Sequence, residues 1–438
     1  MAKTYDTYKD SGIAWIGNIP SEWKTCRIKD TSLLYTGNSI KDEEKDSFQD
    51  MNEARPYIAT KDIDATYMSA NYNNGLYIKH TDCNFRIAPP SSTLMCIEGG
   101  SAGRKKAFID QEVSFVNKLC CFAPFEGVYG KYIYYFLCSP NFEDIFNSKI
   151  TGLIGGVNIP TLKNIECLLP SISEQKAIAT YLDEKCGEID SLISLLEEMI
   201  SELQAYKQSV ITEAVTKGLD PNVPMKDSGA EWIGMIPEGW NICKLKFLCS
   251  SIKDGSHFSP TTTEEGFPYI TAADVHGKGL DYANAKKISE KDYNDLVQSG
   301  CKAEKDDILL VKDGATTGRV GMKIENNPCV LLSSVAMLRV NTKSYPTYLM
   351  YMVSSDLLQQ QISIAMAGSA MPRITLTKLN TFIALEVPLS EQQAIASYLD
   401  EKTSQIDSLI ALKQEKITEL KDYKKSIIYE YVTGKKKV

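Results

Sequence analysis

The sequence predicts an α/β (α+β) fold made twice: two domains, each a twisted β-sheet with helices, separated by two long antiparallel coiled-coil helices with pseudo-twofold symmetry. Three observations lead there. Two segments recur at one displacement, two stretches run helical almost without a breaker, and each interval between them reads strand, glycine turn, strand, helix.

The repeat comes first. DSGIAWIGNIPSEW at 10–23 returns as DSGAEWIGMIPEGW at 227–240, and SEQKAIATYLDEK at 173–185 returns as SEQQAIASYLDEK at 390–402, both 217 residues on. A shared displacement at both ends means two complete units, and so long a period lies far outside solenoid spacing. The interiors, 30–165 and 247–383, share little obvious sequence. A constant frame holding two unlike inserts suits a protein that makes one kind of contact with two different targets. The domain reading is therefore 1–165 with its lead-in at 10–23, a spacer helix at 166–220, 221–385 with its lead-in at 227–240, and a second spacer helix at 386–438.

Composition narrows the class. A chain of 438 residues is too long for one ordinary core, and 43% hydrophobic with 24% charged residues reads as soluble and globular. No apolar run is long enough to cross a bilayer, and MAKTYDTYKD lacks the apolar centre of a signal peptide, so a cytoplasmic protein with no membrane partner is expected. The twelve cysteines form no CxxC pair and only three histidines occur, which predicts buried free thiols and no metal. Net charge is −8, on its face unfavourable for nucleic acid. Segment 174–217 alone carries four lysines against nine acidic residues. The inserts are nearly neutral, with sixteen basic against seventeen acidic residues in 24–168 and sixteen against fifteen in 241–386. Near-neutral inserts leave room for a basic face.

The spacers follow. Ser173 is the expected N-cap of the first, with Glu174 and Gln175 in the first turn, and only Gly187 interrupts 174–217. Steps of seven give Leu182, Ile189, Leu196, Leu203 and Val210, with Leu192, Met199 and Tyr206 read as the second row of a coiled-coil seam. The second copy offers Leu399, Ile406, Leu420 and Ile427 with Leu409 and Tyr423, and departs from the pattern at Lys413 and Lys416. Tyr181 and Tyr398, within the YLDEK segments, join them as expected interface residues. About 33 residues at about 1.5 Å rise give a rod of about 50 Å. The tail Lys435-Lys436-Lys437 reads as a frayed basic end.

In the inserts, 307–311, 329–332, 94–97 and 119–122 read as strands, and 132–137 and 348–352 as helices on the sheet. Glycine turns at 98–106 (EGGSAGRKK) and 312–321 (KDGATTGRVG) follow the first strand of each pair. Small residues there let backbone N–H groups approach phosphate, and arginine can bridge a guanine edge. The DNA-contact candidates are Ser101, Arg104, Lys105 and Lys106 in the first turn and Thr316, Thr317 and Arg319 in the second. Asn158, Ser369 and Arg373 stand on the polar loops ahead of the long helices, and Ser256 and His257 on a loop after Lys253-Asp254-Gly255. Neither turn matches a P-loop, no GxGxxG opens a helix, and Ala88-Pro89-Pro90-Ser91 lacks the amide and the ring of an amino-methyltransferase motif. No catalytic residue and no cofactor is assigned to this chain.

With SEQxAIAxYLDEK found twice, each time feeding a long helix, and WIGxIPxxW ahead of each insert, the sequence resembles the specificity subunit of Type I restriction–modification enzymes over essentially its whole length. The GATTGR turn at 314–319 supports this, and its counterpart at 100–104 is read as one residue shorter. The resemblance implies a non-catalytic subunit whose inserts are target-recognition domains, each reading half of a split double-stranded DNA target, with the helices setting the gap. It implies two methyltransferase subunits on the frame, carrying S-adenosylmethionine for adenine N6 methylation. Two motor-nuclease subunits using ATP and Mg would cleave DNA. The alternatives are a coiled-coil protein-interaction scaffold and a chain with a cryptic DNA-modifying activity of its own.

Overall fold

The structure is a computed structural model that describes residues 4–152, 155–277, 279–366 and 372–438. It is α+β, and the chain separates into two units. The first comprises Met1–Glu197 with Gln414–Val438, and the second comprises Glu198–Lys413. Each long helix is continuous, Ile172–Lys217 and Leu389–Val432, and contributes one part to each unit. At 46 and 44 residues the helices exceed the expected 33, because the frame segments 173–185 and 390–402 are themselves their first turns. The first helix is capped two residues earlier than expected: the Glu174 N–H donates to Ser171 Oγ at 3.4 Å, and Gln175 N–H to the Ser171 carbonyl.

In the first unit the insert leaves and rejoins the frame through a two-stranded antiparallel ribbon, Lys24–Arg27 against Glu166–Leu169. The second unit has Asn241–Lys244 against Ile383–Glu386, with every pairing displaced by the 217 residues of the sequence repeat. The inserts repeat one topology despite their unlike sequences. In the first, Ser32–Thr36, Leu119–Pro124, Ser92–Cys96 and Lys106–Ile109 form an antiparallel sheet in that spatial order. In the second, Cys249–Asp254, Val335–Val340, Ile308–Val311 and Val320–Met322 do the same. A second four-stranded sheet in each contains one parallel pair, Ala54–Ile58 with Val113–Phe115 and Phe267–Ile270 with Val330–Leu331. The expected helices are Gly130–Leu137 and Pro346–Ser354, each packed on its sheet, and the strands fall where the apolar runs lie. Helix Glu290–Gln298, capped by Ser289, has no counterpart among the described residues of the first insert.

The two helices run antiparallel within each unit. In the first, Asp190 meets Lys424 at 2.7 Å and Tyr181 lies on Tyr431 with ring centroids 4.4 Å apart. In the second, Lys207 meets Asp407 at 2.6 Å and Lys413 reaches Met199 Sδ at 3.6 Å. The seam itself corrects the expected one. Leu182, Ile189, Leu399 and Ile406 are buried as predicted, and Leu196, Leu203, Leu420 and Tyr181 are half-buried. The second row, however, is Ala179, Cys186 and Ile193 on the first helix and Ala396, Thr403, Ile417 and Tyr431 on the second, all buried. Leu192, Met199, Tyr206, Leu409 and Tyr423 sit one position to the side and are exposed, as is Tyr398. Leu192 and Ile193 are both apolar, so three residues on from Ile189 looked as good as four, and only packing chooses between them. Lys207 and Lys424 occupy row positions but keep a carboxylate partner across the pair.

The C-terminal residues are not frayed. Lys435 Nζ donates to the carbonyls of Ile16 and Asn18 at 3.0 and 2.6 Å, and Lys436 pairs with Glu430 at 2.7 Å. Burial pushes the Lys435 ammonium down from its usual pKa. The lead-in segment supplies carbonyls that an ammonium can satisfy, so the tail docks where composition alone suggested a solvated end. Parallel fastenings recur in both units: Tyr132 donates to Val432 O at 3.4 Å and Tyr348 to Val215 O at 3.3 Å, each holding a helix C-terminal carbonyl. Gln175 and Gln392 each accept the backbone N–H of a helix-capping tyrosine, Tyr129 and Tyr345, at 2.8 and 2.7 Å.

Candidate nucleic-acid interface

The two glycine turns are the same structure. In the first unit Ala102 N–H donates to Gly99 O, Gly103 N–H to Cys96 O and Arg104 N–H to Ser101 O. In the second, Thr317 donates to Gly314 O, Gly318 to Val311 O and Arg319 to Thr316 O, one bond for each of the first three. The turns therefore match residue for residue, and the expected one-residue deficit at 100–104 does not exist. Glycine is needed where it falls. Gly103 has φ +73° and a Cβ there would lie 2.6 Å from the Phe146 ring. Gly318 has φ +97° and would meet Gln359 Oε1 at 2.8 Å.

Each turn is clasped by the polar loop that precedes the long helix. Gly99 N–H donates to Gly155 O at 2.7 Å, and Val157 N–H donates back to Ile97 O at 2.9 Å. In the second unit Gly314 N–H donates to Pro372 O at 3.0 Å and Ile374 N–H to Lys312 O at 2.8 Å. Two loops singled out separately in the sequence thus form one feature in each unit. In the first it borders a cleft of about 480 Å³ lined by Gly100, Arg104, Glu143 and Asn147. A second cleft, of about 500 Å³, is lined by Thr36, Glu98, Asn117 and Asn158.

The side chains sort into three groups. Arg104 is exposed and donates to its own turn at Gly100 O, a bond that can be exchanged for a ligand. Ser101, Thr316 and Thr317 are half-buried in the turns, Thr317 Oγ donating to Gly314 O at 2.7 Å. Arg373 is exposed, with Nε 3.2 Å from Asp313 Oδ1. His257 is exposed, with Nε2 3.2 Å from Asp254 Oδ2.

Others hold the fold. Lys105 donates to Thr60 O at 2.9 Å. Lys106 is 1% exposed, its ammonium 6.0 Å from the centre of the Phe142 ring, and burial pushes its pKa down. Both were expected at DNA; Lys106 in particular is out of reach, because it belongs to a core strand rather than to the turn. Asn158 caps the helix Ile159–Lys163 by accepting Thr161 N–H at 2.9 Å. Ser256 is buried and bonded to Phe258 at both N–H and carbonyl. Arg319 is half-buried and aims Nη1 at Val275 O, 3.5 Å away. Ser369 lies outside the described residues.

The sequence reading missed a charged cluster in the second unit. Lys312, only 2% exposed, stands 2.9 Å from Asp313 and 3.5 Å from Asp254. His257 and Arg373 close the two ends through those same carboxylates. The signal was present: Lys-Asp-Gly occurs twice, at 253–255 and 312–314. A buried ammonium between two carboxylates fixes both of them, and so fixes how Arg373 and His257 are presented. Among the described residues no group of three His, Cys, Asp or Glu side chains is placed to hold a metal. No described helix is long and apolar enough to cross a membrane.

A family model for the Type I restriction modification DNA specificity domain matches residues 20–205 and again 237–422. The chain belongs to this family. The two matches start and end 217 residues apart, as do the ribbons that bracket the inserts. Among curated relatives, the MjaVIII specificity subunit of Methanocaldococcus jannaschii is 26% identical, aligned over 96% of this chain and 94% of its own. The EcoBI specificity subunit of Escherichia coli is 23% identical over 95% and 87%. A solved chain from a study of assembly and conformational transition in the type I R-M system superposes with a TM-score of 0.70 at 17% identity, covering 94% of this chain and 98% of that one. Membership makes this a specificity subunit of a type I restriction–modification system, and the expected α+β architecture with two repeated domains and two long helices is present.

Proposed function

We propose that each unit reads one half of a bipartite double-stranded DNA target, that the long helices set the spacing of the halves, and that the chain itself performs no chemistry. The observation that carries this is the clasped glycine turn. One backbone geometry is kept in both units, while the side chains around it differ: Glu98, Glu143 and Arg104 in the first, and Asp254, Asp313, Lys312, His257 and Arg373 in the second. A constant presenting backbone with changed donors and acceptors is what reading two different base sequences requires. Arg104 and Arg373 are the exposed guanidinium groups at the two turns and the first candidates for base contact.

The exposed apolar residues beside the helix seam support the docking of methyltransferase subunits. Leu192 and Leu195 recur as Leu409 and Leu412, and Tyr206 as Tyr423, all exposed and all displaced by the sequence repeat. Leucine left in water at matching places of both copies suits two copies of one partner. S-adenosylmethionine for adenine N6 methylation would be held by those partners. ATP and Mg belong to motor-nuclease subunits where they join, and the place of action is the cytoplasm. The test exchanges residues 24–165 for the insert of another family member and maps methylated adenines in host DNA. One half of the recognised sequence should change, with the other half and the gap retained. An unchanged motif would refute modular reading.

A further inference from the structure

We propose that Cys26 and Cys167 form a reversible disulfide, an oxidation site placed where the first insert joins the frame. The strands Lys24–Arg27 and Glu166–Leu169 run antiparallel with Cys26 directly opposite Cys167, and the two sulfurs lie 3.3 Å apart. Directly opposed residues on antiparallel strands have Cα atoms about 4.5–5.5 Å apart, inside the span of about 4.4–6.8 Å that a disulfide accepts. Closing the remaining distance therefore asks for side-chain rotation and no movement of the strands. Cys26 is half-exposed and Cys167 buried, so one thiol meets the oxidant and the other waits behind it. The hydrogen bond between the two thiols lowers the Cys26 pKa and raises that of Cys167, as an attacking and a resolving thiol require.

The chemistry needs a disulfide oxidant such as oxidised glutathione. The Cys26 thiolate attacks one glutathione sulfur, forming a mixed disulfide and releasing one glutathione thiolate. Cys167, giving up its proton, then attacks the Cys26 sulfur and expels the second glutathione. Two protein thiols are oxidised to one bond and the reagent is reduced to two thiols. The bond would close a covalent ring around the whole first insert, since the cysteines are 141 positions apart in sequence. The second unit provides an internal contrast: Cys243 occupies the place of Cys26, but Ala384 stands opposite it. Cys83, exposed elsewhere in the first insert, provides another. In a reducing compartment such a bond would be transient.

The test treats the native full chain with oxidised glutathione, blocks remaining thiols by alkylation, and maps peptides by mass spectrometry. A linked Cys26–Cys167 peptide should form and Cys83 should carry only glutathione, so the free-thiol count should fall by three from twelve, two to the link and one to the adduct, and return on reduction. In Cys167→Ala the glutathione adduct on Cys26 should persist. The thermal midpoint of the wild type should rise on oxidation, and Cys26→Ser should abolish that rise, which keeps the question open to measurement if Cys167→Ala does not fold. A stable glutathione adduct on Cys26 of the wild type would overturn the proposal. So would an unreacted Cys26 beside a fully modified Cys83.

Discussion

Arg104 stands exposed on the clasped turn of the first unit, and Arg373 on the loop that clasps the turn of the second. Replacing either by alanine removes no packing, so the effect should fall on DNA. Arg104→Ala or Arg373→Ala should weaken binding to the matching half-site by about 1–3 kcal/mol if the side chain reads a base, with relaxed preference at one position. Competition binding with single-base variants of each half checks this. Lys106→Met makes the opposite case: it removes a buried ammonium, so stability should hold or rise and DNA affinity should not change, as read by thermal melting and by titration. Gly103→Ala should cost about 1–3 kcal/mol in denaturant unfolding, because a left-handed φ and the Phe146 ring both oppose the added methyl. Arg104 was legible from the turn motif and Arg373 from the polar loop ahead of the second long helix, whereas Arg319, the other turn arginine, is half-buried against Val275 O. Lys105 and Lys106 were misread because a run of basic residues looks alike whether it ends in solvent or turns inward. That outcome depends on Phe142 and Thr60, tens of residues distant in sequence. The Lys312 cluster was hidden for the same reason: one carboxylate, Asp254, ends the strand Cys249–Asp254 and the other, Asp313, lies in the turn after Ile308–Val311.

Among the elements, the long helices were the most readable, since their heptads run without proline and their frame segments repeat. What the sequence left open was which neighbour of each heptad residue turns inward. A paired test separates the possibilities. Ile193→Ala should destabilise the protein by about 2–4 kcal/mol, as expected for an isoleucine 1% exposed in the native state. Leu192→Ala, half-exposed next to it, should change stability by less than about 0.5 kcal/mol yet weaken capture of the methyltransferase partner. Equal destabilisation by both would return Leu192 to the seam. The four strands read from apolar runs are present within about two residues as Ser92–Cys96, Leu119–Pro124, Ile308–Val311 and Val330–Leu331, whereas others, such as Ser32–Thr36 and Val335–Val340, were not read. Nor was their order in the sheets, because pairings such as Ser32–Thr36 with Leu119–Pro124 join residues nearly ninety positions apart and leave no local trace.

For the molecule as a whole, duplication was the strongest signal and the structure extends it: inserts without obvious likeness share one sheet order. Binding should be strongly salt-dependent despite the net charge of −8, with log affinity falling linearly in log salt by roughly 0.9 per phosphate contact. Titrations at several ionic strengths measure that slope, and a flat line would exclude phosphate contact. The second unit is a single unbroken stretch, whereas the first needs Gln414–Val438, with Tyr132 on Val432 O and Lys435 on Ile16 O, to be finished. During synthesis the usual order is thereby reversed: the unit whose insert is translated first is completed second, when residues 414–438 have left the ribosome and return to it.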